Sequence, residues 1–185
     1  MKRLLAASLL CWAALGDASA AGEQRYAVGE RGFVLLQVPE GWVDRVRRAA
    51  GELPPTIGLR PASGEKFAVL ITPGWAPQAD APKLTRDALR RRVAAAAGRV
   101  RTQAVEHELA VHSFGGTDGF GAYFSATDRA PLPGEYRFMT QGMLSLADLR
   151  VSFTILTNDG QESVVAQAIS ILKGMRREFG AGRGI

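Results

Sequence analysis

The sequence predicts an α+β domain in which an antiparallel sheet of about six to seven strands is packed by helices. Two observations support this prediction. Apolar runs rich in β-branched and aromatic residues recur between turn-forming residues, which is typical of strands. Two other segments repeat apolar residues at helical spacing. The four strands between these helices are joined by short links, which favours an antiparallel meander.

Each predicted strand ends at residues that favour turns. The first runs into Pro39 and Gly41, and the second and third are separated by P-A-S-G-E. The third strand contains F-A-V-L-I, an uninterrupted apolar run, so we expect it to be covered on both faces. The predicted strands span residues 32–38, 56–60, 66–72, 103–113, 119–127, 135–144 and 149–157.

Two helices are predicted, one between the third and fourth strands and one after the last. Thr85 can cap the first helix, and Asp87 is favourably placed in its first turn. The second begins at Asn158 or Asp159, because each has Gln or Glu three residues later, as in a capping box. Its apolar stripe is expected to pack on the sheet and comprises Val164, Ala168, Ile171, Leu172, Met175 and Phe179.

The order of these segments is itself informative. A strand runs into V-P-E-G-W, and T-I-G-L-R-P and K-F-A-V-L-I-T-P follow. A helix, the hairpin pattern G-x-G-x-Y-x-F and a strand F-T-I-L-T before a last helix complete the order over residues 33–179. This order resembles the PsbP/DcrB-like superfamily of small α/β/α sandwich proteins. The resemblance implies an antiparallel sheet between helices, in proteins that mostly act as accessory or assembly factors, and it supplies no catalytic residues.

The first twenty residues have the layout of a secretory signal. Lys2 and Arg3 precede an apolar run, which ends at the small residues A-S-A of positions 18–20. The run is shorter than the roughly 20 residues that span a bilayer. We therefore expect a periplasmic or secreted protein with no integral membrane span, whose residues 21–185 form a single domain.

Cys11 is the only cysteine of the chain. A lipoprotein signal places a cysteine after a small residue, whereas Leu10 precedes Cys11 and Trp12 follows it, so lipidation is not expected. Removal of the signal would then leave no cysteine for a disulfide, a thiolate metal site or a nucleophile.

No pattern of residues points to catalysis or to a cofactor. Strand alternation would place His107 and His112 on opposite faces, where they cannot share a metal. A metal site from Glu106, Glu108 and His112 is an alternative, although adjacent carboxylates are more typical of a solvated face. The chain also has no G-x-S-x-G, Walker A or H-E-x-x-H sequence. We expect no metal, no cofactor and no catalytic residue.

Residues 114–121, F-G-G-T-D-G-F-G, contain enough glycine to raise the question of phosphate binding. A phosphate-binding G-x-G-x-x-G opens a helix, whose N–H groups hold the anion. Here a strand pattern follows instead, so Asp118-Gly119 is better interpreted as a hairpin turn. Gly121 within the strand indicates a bulge or a close approach by another part of the chain.

Arginines on the first helix are one candidate binding surface. Arg86, Arg90 and Arg101 fall within about 60° of each other at helical spacing, so acidic groups of a partner or lipid phosphates could dock there. The alternative is a solvated face whose arginine stems cover the edge of the core. Nucleic acid is not expected, because the net charge is only +5 and no aromatic residues are interleaved with the arginines.

The tryptophans are a second candidate surface. Trp42 and Trp75 each follow a strand end beside Gly and Pro, where tryptophan commonly closes the edge of a core. Alternatively, they line a ligand cleft with two long loops, residues 40–55 and 74–82.

These patterns predict an exported, non-catalytic accessory or binding protein that contacts a protein or an envelope component. The alternatives are a small-ligand-binding protein that uses the tryptophan loops and, less favoured, a cryptic hydrolase. The partner-binding residues predicted from the sequence are Trp42, Trp75, Arg86, Arg90 and Arg101.

Overall fold

The computed structural model describes residues 22–48, 53–75 and 84–180, so the predicted signal with Cys11 lies outside the described residues. The described residues form ten strands and two α-helices, and a short 3-10 turn, Gly29–Arg31, joins the first two strands. The elements are β1 Gly22–Ala27, β2 Phe33–Val38, β3 Trp42–Arg47, β4 Thr56–Pro61, β5 Ala68–Trp75, α1 Arg86–Val100, β6 His112–Gly115, β7 Gly119–Thr127, β8 Phe138–Leu146, β9 Leu149–Thr157, α2 Glu162–Gly174 and β10 Arg176–Glu178.

The strands form two antiparallel sheets. Seven of the described strands make a large sheet in the order β3-β4-β5-β9-β8-β7-β6, and β1-β2-β10 make a small one. The predicted α+β class is confirmed. The membership of the large sheet differs from the prediction, however. The first predicted strand is β2 of the small sheet, whereas β3 lies in a segment that we predicted to be a loop.

Helices cover the two faces of the large sheet unequally. On one face, which we call the inner face, α2 and the small sheet cover a core that includes Ile71, Phe153 and Leu36. On the opposite outer face, α1 packs over β7 and β8, where Leu89 and Phe124 are buried. Burying a side chain of this size contributes about 1.5–3 kcal/mol, so both layers add to stability.

The helix starts follow the capping residues only in part. Thr85 caps α1 as predicted, since its hydroxyl accepts a hydrogen bond from the Ala88 N–H at 3.2 Å. The predicted start of α2 at Asn158 or Asp159 is wrong, because the helix begins at Glu162 after Gln161. The contact expected of a capping box at Asn158 is nonetheless present, since the Gln161 side chain accepts a hydrogen bond from the Asn158 N–H at 2.9 Å and holds the turn before the helix.

The second helix also ends earlier than its apolar pattern predicts. It stops at Gly174, and residues 176–178 pair with β2 as β10. Phe179 was expected in the buried stripe of this helix, but it lies beyond β10 and is 64 % exposed. Strand pairing with β2 therefore outweighs the continuation of the helical pattern.

The predicted strand over residues 103–113 is wrong. Only its end belongs to β6, and Ala104 makes one isolated bridge with Asp128. Between them, the Glu106 carboxylate accepts hydrogen bonds from the Thr127 N–H at 3.0 Å and the Thr127 hydroxyl at 2.6 Å. This contact pulls the chain out of strand geometry, so alternation does not determine where His107 and its neighbours point.

The glycine-rich stretch joins β6 to β7 as a hairpin, as predicted. A Cβ on Gly119 would overlap the backbone oxygen of Ser145, and one on Gly121 would overlap the Phe114 ring. The loop is also tied to the end of α2, because the Thr117 N–H donates to the Lys173 carbonyl at 2.8 Å. The glycines therefore allow close packing of neighbouring strands.

Arg177 joins the small sheet to the hairpin between β8 and β9. Its side chain is only 2 % exposed, and its Nε donates to the Asp148 carboxylate at 2.8 Å. One terminal nitrogen donates to the carbonyls of Phe33 at 3.0 Å and Glu178 at 2.7 Å, and the other donates to the Arg31 carbonyl. We call this set of contacts the Arg177 junction.

Candidate functional site

In the part of the chain that the structure describes, no helix lies over half of the outer face of the large sheet. Beneath α1, Phe124 is completely buried. On β5, which β8 and β9 separate from β7, Leu70 points to the same side of the sheet and is 40 % exposed. The expectation that this apolar strand is covered on both faces is therefore wrong, because the buried residues of the run, Phe67, Val69 and Ile71, all lie on the inner face.

The register of the sheet defines which residues share this uncovered surface. Arg45 lies opposite Gly58, Gly58 opposite Leu70, and Leu70 opposite Thr154, so the four residues form one row. Successive rows repeat every second residue along the strands. We call this surface the open sheet face, and it comprises Val43, Arg45 and Arg47 of β3, Thr56, Gly58 and Arg60 of β4, Ala68, Leu70, Thr72 and Gly74 of β5, and Arg150, Ser152, Thr154 and Leu156 of β9.

The middle of the open sheet face is apolar. Ala68 lies directly opposite Leu156, and Leu70 is the next residue on the same side of β5. Gly58 has no side chain, so a shallow depression separates Leu70 from Arg45 in the same row. The surface thus offers an apolar strip with a groove beside it.

Arginine is the only charged residue type on the open sheet face. Four of its residues are arginines, two on β3 and one each on β4 and β9, and Asp44 of β3 points to the inner face instead. Among the described residues, no carboxylate forms an ion pair with these four arginines. Because arginine stays protonated at any physiological pH, the surface carries a permanent positive charge.

Helix α1 extends this positive surface along its border. One side of α1 faces β6, since Arg90 donates to the Val111 carbonyl at 3.0 Å and the Arg86 guanidinium lies 4.7 Å from the centre of the Phe120 ring. At 100° per residue, Arg92 and Arg99 lie about 160° and 180° around the helix from Arg90. Both are exposed on the opposite side, toward β8 and the open sheet face.

The predicted arginine surface is only partly brought together. Arg86 and Arg90 are neighbours near the start of α1, on its β6 side, and both have contacts within the protein. Arg101 follows the end of the helix, about 16 Å from Arg90 along the axis at 1.5 Å per residue. It lines a separate small cavity of about 170 Å³ together with Glu108 and Leu109.

The two predicted tryptophans lie far apart. Trp42 begins β3, is 7 % exposed and packs on Phe67 with 4.5 Å between ring centres. Trp75 ends β5, is half-buried, and has the Arg31 guanidinium 5.1 Å from its ring centre. Phe67, which packs on Trp42, directly precedes β5 and is eight residues from Trp75 at the end of that strand, about 26 Å of extended chain. The tryptophans therefore do not line one cleft.

The loops assigned to that cleft also differ from the prediction. Residues 42–47 form β3, and Gly74 belongs to β5. Residues 49–52 and 76–82, which make up most of what remains of the two predicted loops, lie outside the described residues.

Local packing explains the shifted pKa values of titratable side chains. Partial burial alone would raise the pKa of Glu106, but the hydrogen bonds from Thr127 outweigh it and lower that pKa. Burial raises the pKa of the Tyr26 phenol, and the nearby Asp44 carboxylate adds to the increase. Within residues 22–48, 53–75 and 84–180, no three His, Cys, Asp or Glu side chains are grouped so that they could hold a metal ion.

Two further described cavities lie outside the middle of the open sheet face, although Leu156 lines one of them. A surface groove of about 530 Å³ runs between the end of β2 and α2, and its lining includes Pro39, Glu40 and Ile171. A cavity of about 170 Å³ at the end of α1, lined partly by Val100 and Leu156, is smaller than the roughly 300 Å³ at which ligand pockets begin. Neither cavity brings together any two of the predicted binding residues.

Sequence reasoning missed the open sheet face, although two of its signals are visible in the sequence. The run F-A-V-L-I is too apolar for a strand with one solvated face, and alternate positions of V-D-R-V-R and T-I-G-L-R carry arginine but no acid. Combining them requires the strand register, because the arginines come from β3, β4 and β9.

No helix in the described ranges has both the length and the apolar character that a membrane crossing requires. None of the family models compared with the chain matches it, and neither does any curated protein. Among solved structures, the solution structure of cyanobacterial PsbP (CyanoP) from Synechocystis sp. PCC 6803 is similar, with a TM-score of 0.54 and 13 % sequence identity. The match covers 88 % of this chain and 96 % of that one, so the chain has a PsbP-like fold, as its sequence predicts.

Proposed function

We propose that this PsbP-like chain is an exported, non-catalytic accessory protein that binds a protein partner of the cell envelope through the open sheet face. The observation that carries the proposal is the half-covered outer face of the large sheet. One half is buried under α1, and the other exposes Leu70 together with arginines of β3, β4 and β9. An apolar strip inside a polar rim is the usual make-up of a protein-binding surface.

Burial provides the physical reason for a partner at this position. A residue such as Leu70 gains about 25 cal/mol for every Å² of apolar surface that a partner removes from water. The neighbouring Ala68 and Leu156 are already partly buried, so a covering element would complete a layer that α1 begins. Polar side chains such as Ser152 can then form hydrogen bonds with polar groups of the partner around the apolar strip.

Export is part of the proposal because of the secretory layout of residues 1–20. The fold likeness to a PsbP protein supports the accessory role only as an expectation from the family resemblance. The small-ligand alternative has less support, because the two tryptophans on which it depended lie at opposite ends of the sheet.

Site-specific photocrosslinking in the intact envelope tests this function. A photoreactive residue at position 70 is compared with one at position 91, which is exposed on the helix that borders the face. We expect position 70 to capture one reproducible protein, identified by mass spectrometry, and position 91 to capture little. Absence of capture at position 70, or equal capture at both positions, would contradict the proposal.

The predicted surface of Arg86, Arg90 and Arg101 is tested in the same system. If it also engages the partner, reversing all three residues to glutamate abolishes capture from position 70 while the unfolding transition stays unchanged. If capture persists in the folded triple variant, these three arginines are not part of the binding surface.

A further inference from the structure

We propose that the partner covers the open sheet face with an acidic amphipathic α-helix that lies beside α1. This inference rests on the proposed function, since it names the chemistry of the partner at the same surface. Three properties of the described residues lead to it: the width of the uncovered surface, its apolar strip, and the placement of arginines on both sides of that strip.

The width of the surface fits one helix. From β3 to β9 there are three strand spacings, about 14 Å in total. A helix is about 10 Å across, and helices packed side by side lie about 8–10 Å apart. A second helix placed next to α1, which packs over β7 and β8, would therefore lie above β9 and β5.

The apolar strip lies beneath that position. Leu70 and Leu156 project from β5 and β9, and Ala68 lies between them at lower height. A Cβ on Gly58 would have only ordinary contacts, with the Arg45 backbone oxygen at 3.6 Å and the Leu70 side chain at 3.7 Å, so the helix can approach the sheet closely here. A helix with a narrow stripe of Leu and Ala would bury this strip.

Arginines flank the strip on both sides. Arg45 and Arg60 lie on the β3–β4 side, and Arg92 and Arg99 lie on the α1 side. None of these four has an ion-pair partner among the described carboxylates. A helix in this position would meet guanidinium groups on both flanks, and carboxylates are the groups that guanidinium binds in bidentate fashion.

The shape of the surface favours a helix over a lipid bilayer. Because α1 is about 10 Å thick, it stands well above the strip that it borders. Leu70 therefore lies below the level of the outer surface of α1, and a planar headgroup layer resting on α1 would not reach it. A helix can enter the recess and contact both the strip and its rims.

A displayed peptide library tests the partner's chemistry directly. The library holds 16-residue helices with a fixed stripe of Leu and Ala, and its flanking positions vary among Glu, Gln and Lys. The targets are the full mature chain, the double variant Arg45→Glu/Arg60→Glu, and a control, Arg91→Glu/Lys173→Glu, with the same change in net charge away from the open sheet face.

We expect selection on the wild-type chain and the control to enrich Glu on both flanks. For a selected peptide, the Arg45→Glu/Arg60→Glu variant is expected to weaken binding by about tenfold, which corresponds to about 1.4 kcal/mol. Enrichment of Lys or Gln, or an equal response of the two double variants, would overturn the inference. Matching unfolding curves establish that all three targets are folded.

A vesicle experiment distinguishes the membrane alternative. Phosphatidylglycerol vesicles are mixed with the same three proteins and separated by flotation. We expect no flotation that depends on Arg45 and Arg60. If these arginines mediate flotation while no acidic helix is enriched, the occupant is a lipid surface and the inference is wrong.

The two levels of the proposal fail in different ways. If crosslinking from position 70 captures a partner but its crosslinked segment is not an acidic helix, the partner chemistry is wrong and the binding function stands. If position 70 captures nothing in the envelope, the binding function fails, whatever the peptide library selects.

Discussion

The Arg177 junction and the open sheet face use the same residue type in opposite ways. At the junction, a buried guanidinium donates to the Asp148 carboxylate and to three backbone carbonyls. On the open sheet face, Arg45 is exposed and has no ion-pair partner among the described carboxylates. The number of arginines therefore does not distinguish the two regions. They differ in whether the guanidinium is buried and hydrogen-bonded or exposed without an ion-pair partner.

The largest expected effect on stability concerns the Arg177 junction. In an Arg177→Met variant, the Asp148 carboxylate and the Phe33 carbonyl lose their buried donor. Breaking such a set of contacts costs about 3 kcal/mol of the free energy of unfolding, measured by urea denaturation. Arg91→Met, on an exposed helix surface, is the matched control, and its cost is expected within about 0.5 kcal/mol. Equal losses in both variants would show that the junction contributes nothing specific.

An intermediate effect is expected in the glycine loop, which is attached to the same junction through a hydrogen bond from the Arg177 N–H to Asp118. A Gly119→Ala variant must move the backbone of Ser145, so we expect a loss of roughly 1–3 kcal/mol. Gly115→Ala is the control, because nothing lies within 4 Å of a Cβ there. Thermal unfolding of both variants measures the difference, and similar melting temperatures would refute the proposed close packing.

The smallest effect is expected on the open sheet face, where a substitution should raise the free energy of unfolding instead of lowering it. Arg45 has Arg47 on the same face of β3 and Arg60 diagonally across from it on β4. In Arg45→Gln, relief of this repulsion raises the free energy of unfolding by about 0.2–0.5 kcal/mol at low salt, on the scale of cross-strand charge pairs. Because salt screens exposed charges, the gain should disappear in denaturation at high salt. A loss of stability would mean that Arg45 is held like Arg177.

Local patterns predicted the regular elements well where neighbouring residues alone decide them. Strands β7 and β9 have the predicted bounds to the residue, and Thr85 caps α1. Prediction failed where a distant contact competes with a local preference. Glu106 accepts a hydrogen bond from Thr127 in place of a predicted strand. Residues 176–178 pair with β2 and do not continue a predicted helix.

The same division applies to the candidate site. The composition of the apolar run F-A-V-L-I and the excess of arginine are both visible in the sequence. The sequence does not show that they share one surface, because Arg45, Leu70 and Arg150 lie on three different strands. Only the register of the sheet brings these strands together. The predicted pair of tryptophans shows the converse, since similar local contexts at Trp42 and Trp75 are placed at opposite ends of the sheet.

By itself, the sequence determined the α+β class, the PsbP-like order of elements and the hairpin at the glycine loop. These depend on periodicity, turn residues and close approaches within neighbouring strands, which act over short separations along the chain. Only the tertiary structure decided which arginines are used in packing and which are left open. That outcome depends on partners such as Asp148, 29 residues from Arg177, and on a helix that covers only half of a sheet.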